Sequence, residues 1–510
     1  MKKLVFLIFF VLFTVVLQAQ SKVFKEVGED ISTQFKPITQ DNTLVGYLAF
    51  TRLERASKDS FNYRITIMDE NLNDLGTVNF RGANLELQTV AFEQNMLCLG
   101  YIQTALTGAQ PLRNLRSYEK IRDAGLFSQL LLQWISLDGR VVNSWSQDVT
   151  LTPAPVGYSR RRSAITSVEN ILLYGMQIRN VPRVGFCLFY GDDQKQDLVL
   201  FDVKGGLIRQ VAAPDRAGVM DRVVAQDQAG RYYLHASATY IYLLEKIHSK
   251  VPEGGYKLCV FAPEDLSPVI DFDLRDSKDN WLKVLSFDND PVTGDAYIAG
   301  CIINPPMERN FVSAMDLSQG PYIGLFTIDL GGPGRDMKAN CSYWDDGKFP
   351  GLSREGLFSD KDFYVRYASA LKDFNGNTIF TGTALSLVGR SSFRLADGVF
   401  VRQEASGKIA LDNSVACDET RSFGPAGLLN ELDKKDYYKV VNPDTRSNYM
   451  IIDDAENIYI YNVTSKKVMR TIPHKDGSIK TNVYPAKEGH IIVAEYHQKE
   501  KYTRFSIEAP

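Results

Sequence analysis

The fold is read from residues 163–213. The runs there are AITSV (164–168), the turn Glu169-Asn170, ILLYGMQ (171–177), LVLFDV (198–203), the turn Lys204-Gly205-Gly206 and LIRQV (207–211). Four short runs rich in β-branched, leucine and aromatic residues, separated by turn residues, predict four strands joined as hairpins. Glycine in the Lys-Gly-Gly turn supplies the positive φ that tight hairpins need.

The same grammar recurs along the chain. Runs at 44–53, 63–68 and 76–80 open it, followed by 87–92, 96–102, 130–137 and 141–145. After the unit above come 222–225, 232–236, 257–261 and 269–274, then 282–287, 296–302, 322–329 and 339–343. The last three units are 365–371, 378–383, 398–403 and 409–413; then 438–441, 449–452, 458–462 and 468–472; and finally 479–483, 490–496 and 502–507. Eight units of about 40–70 residues, each of four short strands, resemble the blades of a β-propeller of the secreted superfamily. The resemblance is one of architecture and spans residues 23–507, with no repeating WD dipeptide and no kelch signature. It implies an all-β ring of seven or eight four-stranded blades, seven if the compact last two units form one. The last unit lacks a fourth run, while KVFKEV (22–27) stands unpaired near the start. Pairing the two ends would close the ring and remove an open sheet edge.

The 510 residues are 44% hydrophobic and 23% charged, a globular balance, and aromatics reach 11%, which suits β-rich packing. A net charge of −3 supplies no field for nucleic acid or an anionic membrane. Lys2 and Lys3 precede an apolar run at 4–17 and the small-residue region Gln18-Ala19-Gln20, the pattern of a bacterial signal peptide over residues 1–20. That run is shorter than the ~20 residues that span a bilayer. The expected mature chain is one domain over 21–510, exported to the periplasm or beyond the cell, with no integral membrane segment. Six cysteines permit disulfides, yet Cys98, Cys259 and Cys301 sit inside apolar strand runs, which favours buried thiols.

Long connections fall at 104–129, 150–162, 179–197, 239–256, 304–321, 344–362, 386–397 and 414–436. In an up-and-down blade, connections between strands two and three and between units leave on one face, so binding residues should collect there. Arg113, Arg116 and Tyr118, with the triplet Arg160, Arg161 and Arg162, could rim that face and engage an anionic ligand. Tyr240 and Trp344 could stack on sugar rings or anchor an interface. The competing reading makes these solvated charges and loop-packing aromatics.

Catalytic signatures are thin. No HExxH, GxSxG, P-loop or dinucleotide fingerprint occurs in a strand–helix context that would support it. His235 and His490 lie in apolar runs and read as core. Oxygen ligands at Asp288-Asn289-Asp290 with Gly294-Asp295, and at Asp373–Asn377, are better explained as turns than as calcium loops. The second of these also resembles a loosely spaced Asp-box, a structural turn of sialidase-type propellers. Neither a metal nor a cofactor is called for. The sequence leans to a non-enzymatic scaffold that engages a protein or glycan, possibly anionic, and not nucleic acid. The alternative is a propeller hydrolase or lyase acting on a polysaccharide through axial carboxylates.

Overall fold

The computed structural model describes residues 21–25, 32–40, 43–57, 60–104, 128–149, 176–191, 196–212, 232–246, 256–303, 322–331, 337–347, 349–353, 356, 358, 363–388, 392–417, 419–423, 436–442, 445–454, 456–474 and 477–510. Over these residues the chain forms eight antiparallel sheets in a ring, a β-propeller. Seven blades are built from four consecutive strands each, and the blade from Tyr364–Lys372 to Ile409–Val415 gains a short fifth, Thr420–Phe423. Blades are numbered here from the one that begins at Ser32–Gln40. From blade 1 through blade 8 the innermost strand of each blade touches that of the next around the axis.

Blade 8 closes the ring. Its first three strands are Ile479–Pro485, Ile491–His497 and Tyr502–Glu508. Its outermost strand is Ser21–Lys25, antiparallel to the last of these with Ser21 opposite Ser506 and Lys25 opposite Tyr502. The expected closure is therefore present, and the compact seventh and eighth units are separate blades. Phe24 meets the Phe505 ring edge-on at 5.6 Å. Lys22 reaches blade 1, where it meets the Leu72 carbonyl and pairs with Asp74.

The core is divided among the junctions between blades. Eight apolar clusters occur, one at each junction. Between blades 2 and 3, for example, Cys98, Leu132 and Trp134 pack on Ile178, Phe186 and Phe201. Each fully buried large side chain of this kind contributes on the order of 1.5–3 kcal/mol. All six cysteines are among the described residues, and none forms a disulfide. Burial pushes the Cys98 and Cys187 thiols above their ordinary range.

Several strands lie elsewhere than the sequence runs suggest. Blade 1 begins with Ser32–Gln40, which carries Pro37 and did not read as a strand. Proline is tolerated there because an innermost strand is an edge, with one side free of ladder bonds. In blade 3 the first two strands are Gln177–Val181 and Gly185–Gly191, so the expected connection at 179–197 is largely strand. Residues 163–175 lie outside the described residues. In blade 4, Tyr232–Ala236 is the first strand rather than the second, and Ile241–Lys246 is the second. Residues 386–397 likewise belong mostly to the arm formed by Thr378–Val388 and Ser392–Gln403.

Two changes test this packing. Starting the chain at Gly28 removes the five-residue closing strand; at ~1 kcal/mol per ladder hydrogen bond, several kcal/mol should be lost. Differential scanning calorimetry should show a lower melting temperature together with self-association through the bared edge; coincident melting curves would mean the strand does not hold the ring. Gly205 has φ +84°, and a Cβ there would lie 2.5 Å from the Trp134 ring of blade 2. Gly205→Ala should cost about 2–3 kcal/mol in urea unfolding. Gly294→Ala, at φ +75° with open space around it, should cost about 1 kcal/mol.

Candidate functional site

The strand bounds place every connection longer than eight residues on one face of the ring. These are 105–127, 150–176, 213–231, 247–255, 304–321, 344–363 and 424–435, all joining strands two and three or successive blades. On the opposite face the longest connection is 330–337, and most are turns of two to six residues.

Arg113, Arg116, Tyr118, Arg160, Arg161 and Arg162 belong to 105–127 and 150–176 and lie outside the described residues. Tyr240 is described, and it does not sit in a long connection. It lies in the turn 237–240 between the first two strands of blade 4, on the short-turn face. There its ring packs edge-on to Tyr242 at 6.1 Å, and its carbonyl accepts the Ser237 amide hydrogen at 2.9 Å. Trp344 leaves the outer strand of blade 5 in a single 3₁₀ turn and folds inward. It is 4% exposed, and its indole N–H donates to the Tyr322 carbonyl at 2.8 Å. Gly356 at φ +72° comes so close that a Cβ would lie 2.6 Å from the ring. Such a side chain packs the blade end and offers no stacking surface.

A constellation that the sequence did not bring together lies on the axis. Arg179 of blade 3, His235 of blade 4 and Asp288 of blade 5 each stand two residues before the short turn that ends their innermost strand. Lys439 of blade 7 reaches past blade 6 to pair with Asp288, and its ammonium also lies 3.4 Å from Ser286 Oγ. The intervening strand carries only Ala368 and Ser369 at its bulge, which leaves room for that reach. Lys439 and Asp288 remain about a quarter exposed, at 25% and 27%, although protein surrounds them. That combination marks groups inside a channel that water enters.

Enclosure works to raise the Asp288 carboxyl, but Lys439 and His235 outweigh it and hold it below its ordinary range. Enclosure also opposes the charge on Lys439, and Asp288 and Tyr297 more than offset this, holding its pKa above that of free lysine. Loss of hydration holds the Arg179 guanidinium below its ordinary value against the pull of Asp288. His235 stacks on Phe287 at 4.8 Å, and its Nε2 lies 2.8 Å from Asn289 Oδ1. Burial drives its pKa down to about 4, with Asp288 and Asn289 opposing and Arg179 and Lys439 assisting. It is thus a core histidine as its apolar run suggests, but one that forms a wall of the axial cluster. The missing signal was phase. Without knowing which strand of a unit is innermost, charges at alternate positions on different strands cannot be assigned to one channel.

The oxygen-rich turns are satisfied internally. Asp373 Oδ1 accepts the amide hydrogens of Asn375 and Asn377 at 2.9 and 2.8 Å, and Oδ2 takes the Asn377 side chain at 3.0 Å and Arg402 at 2.8 Å. The same Asp-x-x-x-Asn turn recurs at Asp69–Asn73 and Asp276–Asn280. Asp290 likewise accepts the Val292 and Thr293 amide hydrogens and pairs with Lys372 at 2.6 Å. Among the described residues no group of three His, Cys, Asp or Glu side chains is placed to hold a metal ion. Among them, too, no helix is long and apolar enough to cross a membrane.

The axial histidine makes acid stability a readout of this cluster. Its folded pKa of about 4 lies below the ordinary 6.5, so its contribution is whole above pH 6.5 and is lost as pH falls toward 4. At up to ~1.4 kcal/mol per pH unit, that loss approaches roughly 3 kcal/mol. Carboxylates with depressed values, Asp288 included, lose their contribution only below about pH 4. Urea unfolding between pH 7 and 4.5 should therefore show declining stability, with a flatter dependence for His235→Gln. Equal slopes for the two proteins would mean that this ring is protonated as readily in the fold as outside it.

Residues 1–107 match a family described as "Family of unknown function (DUF6770)". No curated protein matches the chain. Among solved structures, the WD40 domain of SCAP from fission yeast is 8% identical, covering 96% of this chain and 99% of that one at a TM-score of 0.39. Apo AztD from Citrobacter koseri is 9% identical, covering 96% of each chain at a TM-score of 0.39. The quinohemoprotein alcohol dehydrogenase from Comamonas testosteroni is 9% identical, covering 94% of this chain and 78% of that one at 0.40. These likenesses concern chain architecture and carry no activity or ligand across.

Proposed function

We propose that the chain is an exported, non-enzymatic binding scaffold that engages a protein or glycan partner through its long-connection face. One observation carries this reading: every connection longer than eight residues springs from the same face of a rigid ring. Variable segments set on a stiff frame are the usual site of recognition. The basic residues of two of these segments, Arg113, Arg116, Arg160, Arg161 and Arg162, give the partner an anionic character. The axial cluster supports binding over hydrolysis. Glycoside cleavage uses two carboxyl groups about 5–10 Å apart, one held protonated. Here the clustered carboxyl is Asp288, and its pairing with Lys439 keeps it ionised.

The partner class is tested by glycan-array and pull-down binding of the purified chain. Replacing Arg116, Tyr118, Arg161 and Arg162 together by alanine should weaken binding while leaving the urea-unfolding midpoint unchanged. Binding should also weaken as salt rises, since exposed charges are screened within ~8–10 Å at physiological ionic strength. Changes at 138–140 or 204–206, on the short-turn face, should leave it intact. The reverse pattern would assign recognition to the other face.

A further inference from the structure

The innermost strands carry a positive excess that the rest of the chain does not. The eight innermost strands hold seven lysines and arginines against four acids, in a protein whose net charge is −3. Two of those acids are already engaged. Asp288 pairs with Lys439, and Glu93 accepts the Asn180 side chain at 3.3 Å and the Arg183 amide hydrogen at 3.1 Å. Lys372 is neutralised from blade 5 by Asp290 and Asp329, each at 2.6 Å.

Arg179 is different. Its side chain stands open to the channel at the level of His235 and Asp288. Among the described residues its guanidinium meets the carbonyl of its own neighbour Ile178 at 3.0 Å and no carboxylate. The cluster thus holds two permanent cations and one carboxylate, with an uncharged imidazole beside them. An uncompensated cation enclosed by protein draws a counter-ion far more strongly than one on an open surface, because field lines are focused between low-dielectric walls. A guanidinium fork matches the paired oxygens of a carboxylate or phosphate.

We propose that the axial channel is an anion-binding site whose ligand is a small free oxyanion, held on Arg179 with His235 and Lys439 alongside. This site is separate from the long-connection face and stands whether or not that face binds a partner.

Thermal unfolding of the purified full chain, titrated with citrate or with inorganic phosphate, tests it against sodium chloride at matched ionic strength. Occupancy well above the dissociation constant should raise the melting temperature by roughly 2–4 °C, and chloride should not. Arg179→Gln should abolish the rise, and Arg179→Lys, which keeps the charge but not the fork, should weaken it. In anion-free buffer Arg179→Gln should melt at or above the wild-type temperature, since it removes an unneutralised charge. A lower melting temperature for that variant would overturn the proposal, because it would mean that a carboxylate of the same chain already serves Arg179. Calorimetric titration of the wild-type chain with citrate gives a readout independent of any variant. No heat of binding there, or an unchanged rise in Arg179→Gln, also refutes the site.

Discussion

The whole ring depends on one antiparallel pairing, Ser21–Lys25 on Tyr502–Glu508. Seven blades need only their own consecutive strands, and each buries its faces on its neighbours. The eighth would otherwise end in an unpaired strand beside blade 1. The pairing covers that edge and draws Phe24 onto Phe505, which itself stacks on Phe35 of blade 1 at 4.1 Å. A further bond from Tyr47 to the Pro485 carbonyl at 2.9 Å ties the first blade to the last. The pairing joins residues separated by nearly the entire described chain, so the entropy of closing that loop falls on a few hydrogen bonds and aromatic contacts.

Polar contacts between blades do a different job from the apolar layers. The layers are interchangeable in chemistry, whereas Thr327, Thr378 and Gln403 form a buried hydrogen-bonded set that fits only the junction of blades 5 and 6. At the next junction Arg402 grips Asp412 of its own blade 6 with two nitrogens at 2.8 and 2.9 Å. Blade 7 joins them through Lys466, which pairs with Asp412 at 2.6 Å, and through the Val463 carbonyl, which accepts from Arg402 at 3.4 Å. Such groups specify which face meets which, since a mispaired blade would leave them buried without partners. Lys439 extends this logic across the axis by fastening blade 7 to blade 5.

The architecture was legible because four-strand units repeat, and because the ends showed one missing strand and one spare. The runs at 479–483, 490–496 and 502–507 fell almost on the observed strands. Blades 3 and 4 were misphased for a local reason. Short apolar segments such as GFCLFYG (185–191) are flanked by polar stretches that resemble loops, and strand identity there is settled by pairing with the neighbouring strands of the same blade. Phase decides which face a turn occupies, and it puts Tyr240 on the short-turn face, whereas Trp344 lies in a long connection as its run predicts and packs the blade end there. The axial cluster was unreadable for the same reason: Arg179 lay in a segment read as a loop, and His235 on a strand read as second rather than innermost.

The closing strand also fixes where the ring can be tethered. Ser21 lies opposite Ser506, so the polypeptide enters and leaves the ring side by side, on the face of short turns. Any segment joined before Ser21 or after Pro510 therefore holds the ring from that side, with the long connections turned outward. Tension applied through both ends would meet the pairing Ser21–Ser506 first and open the ladder one rung at a time. The ring would unzip under load rather than resist in shear.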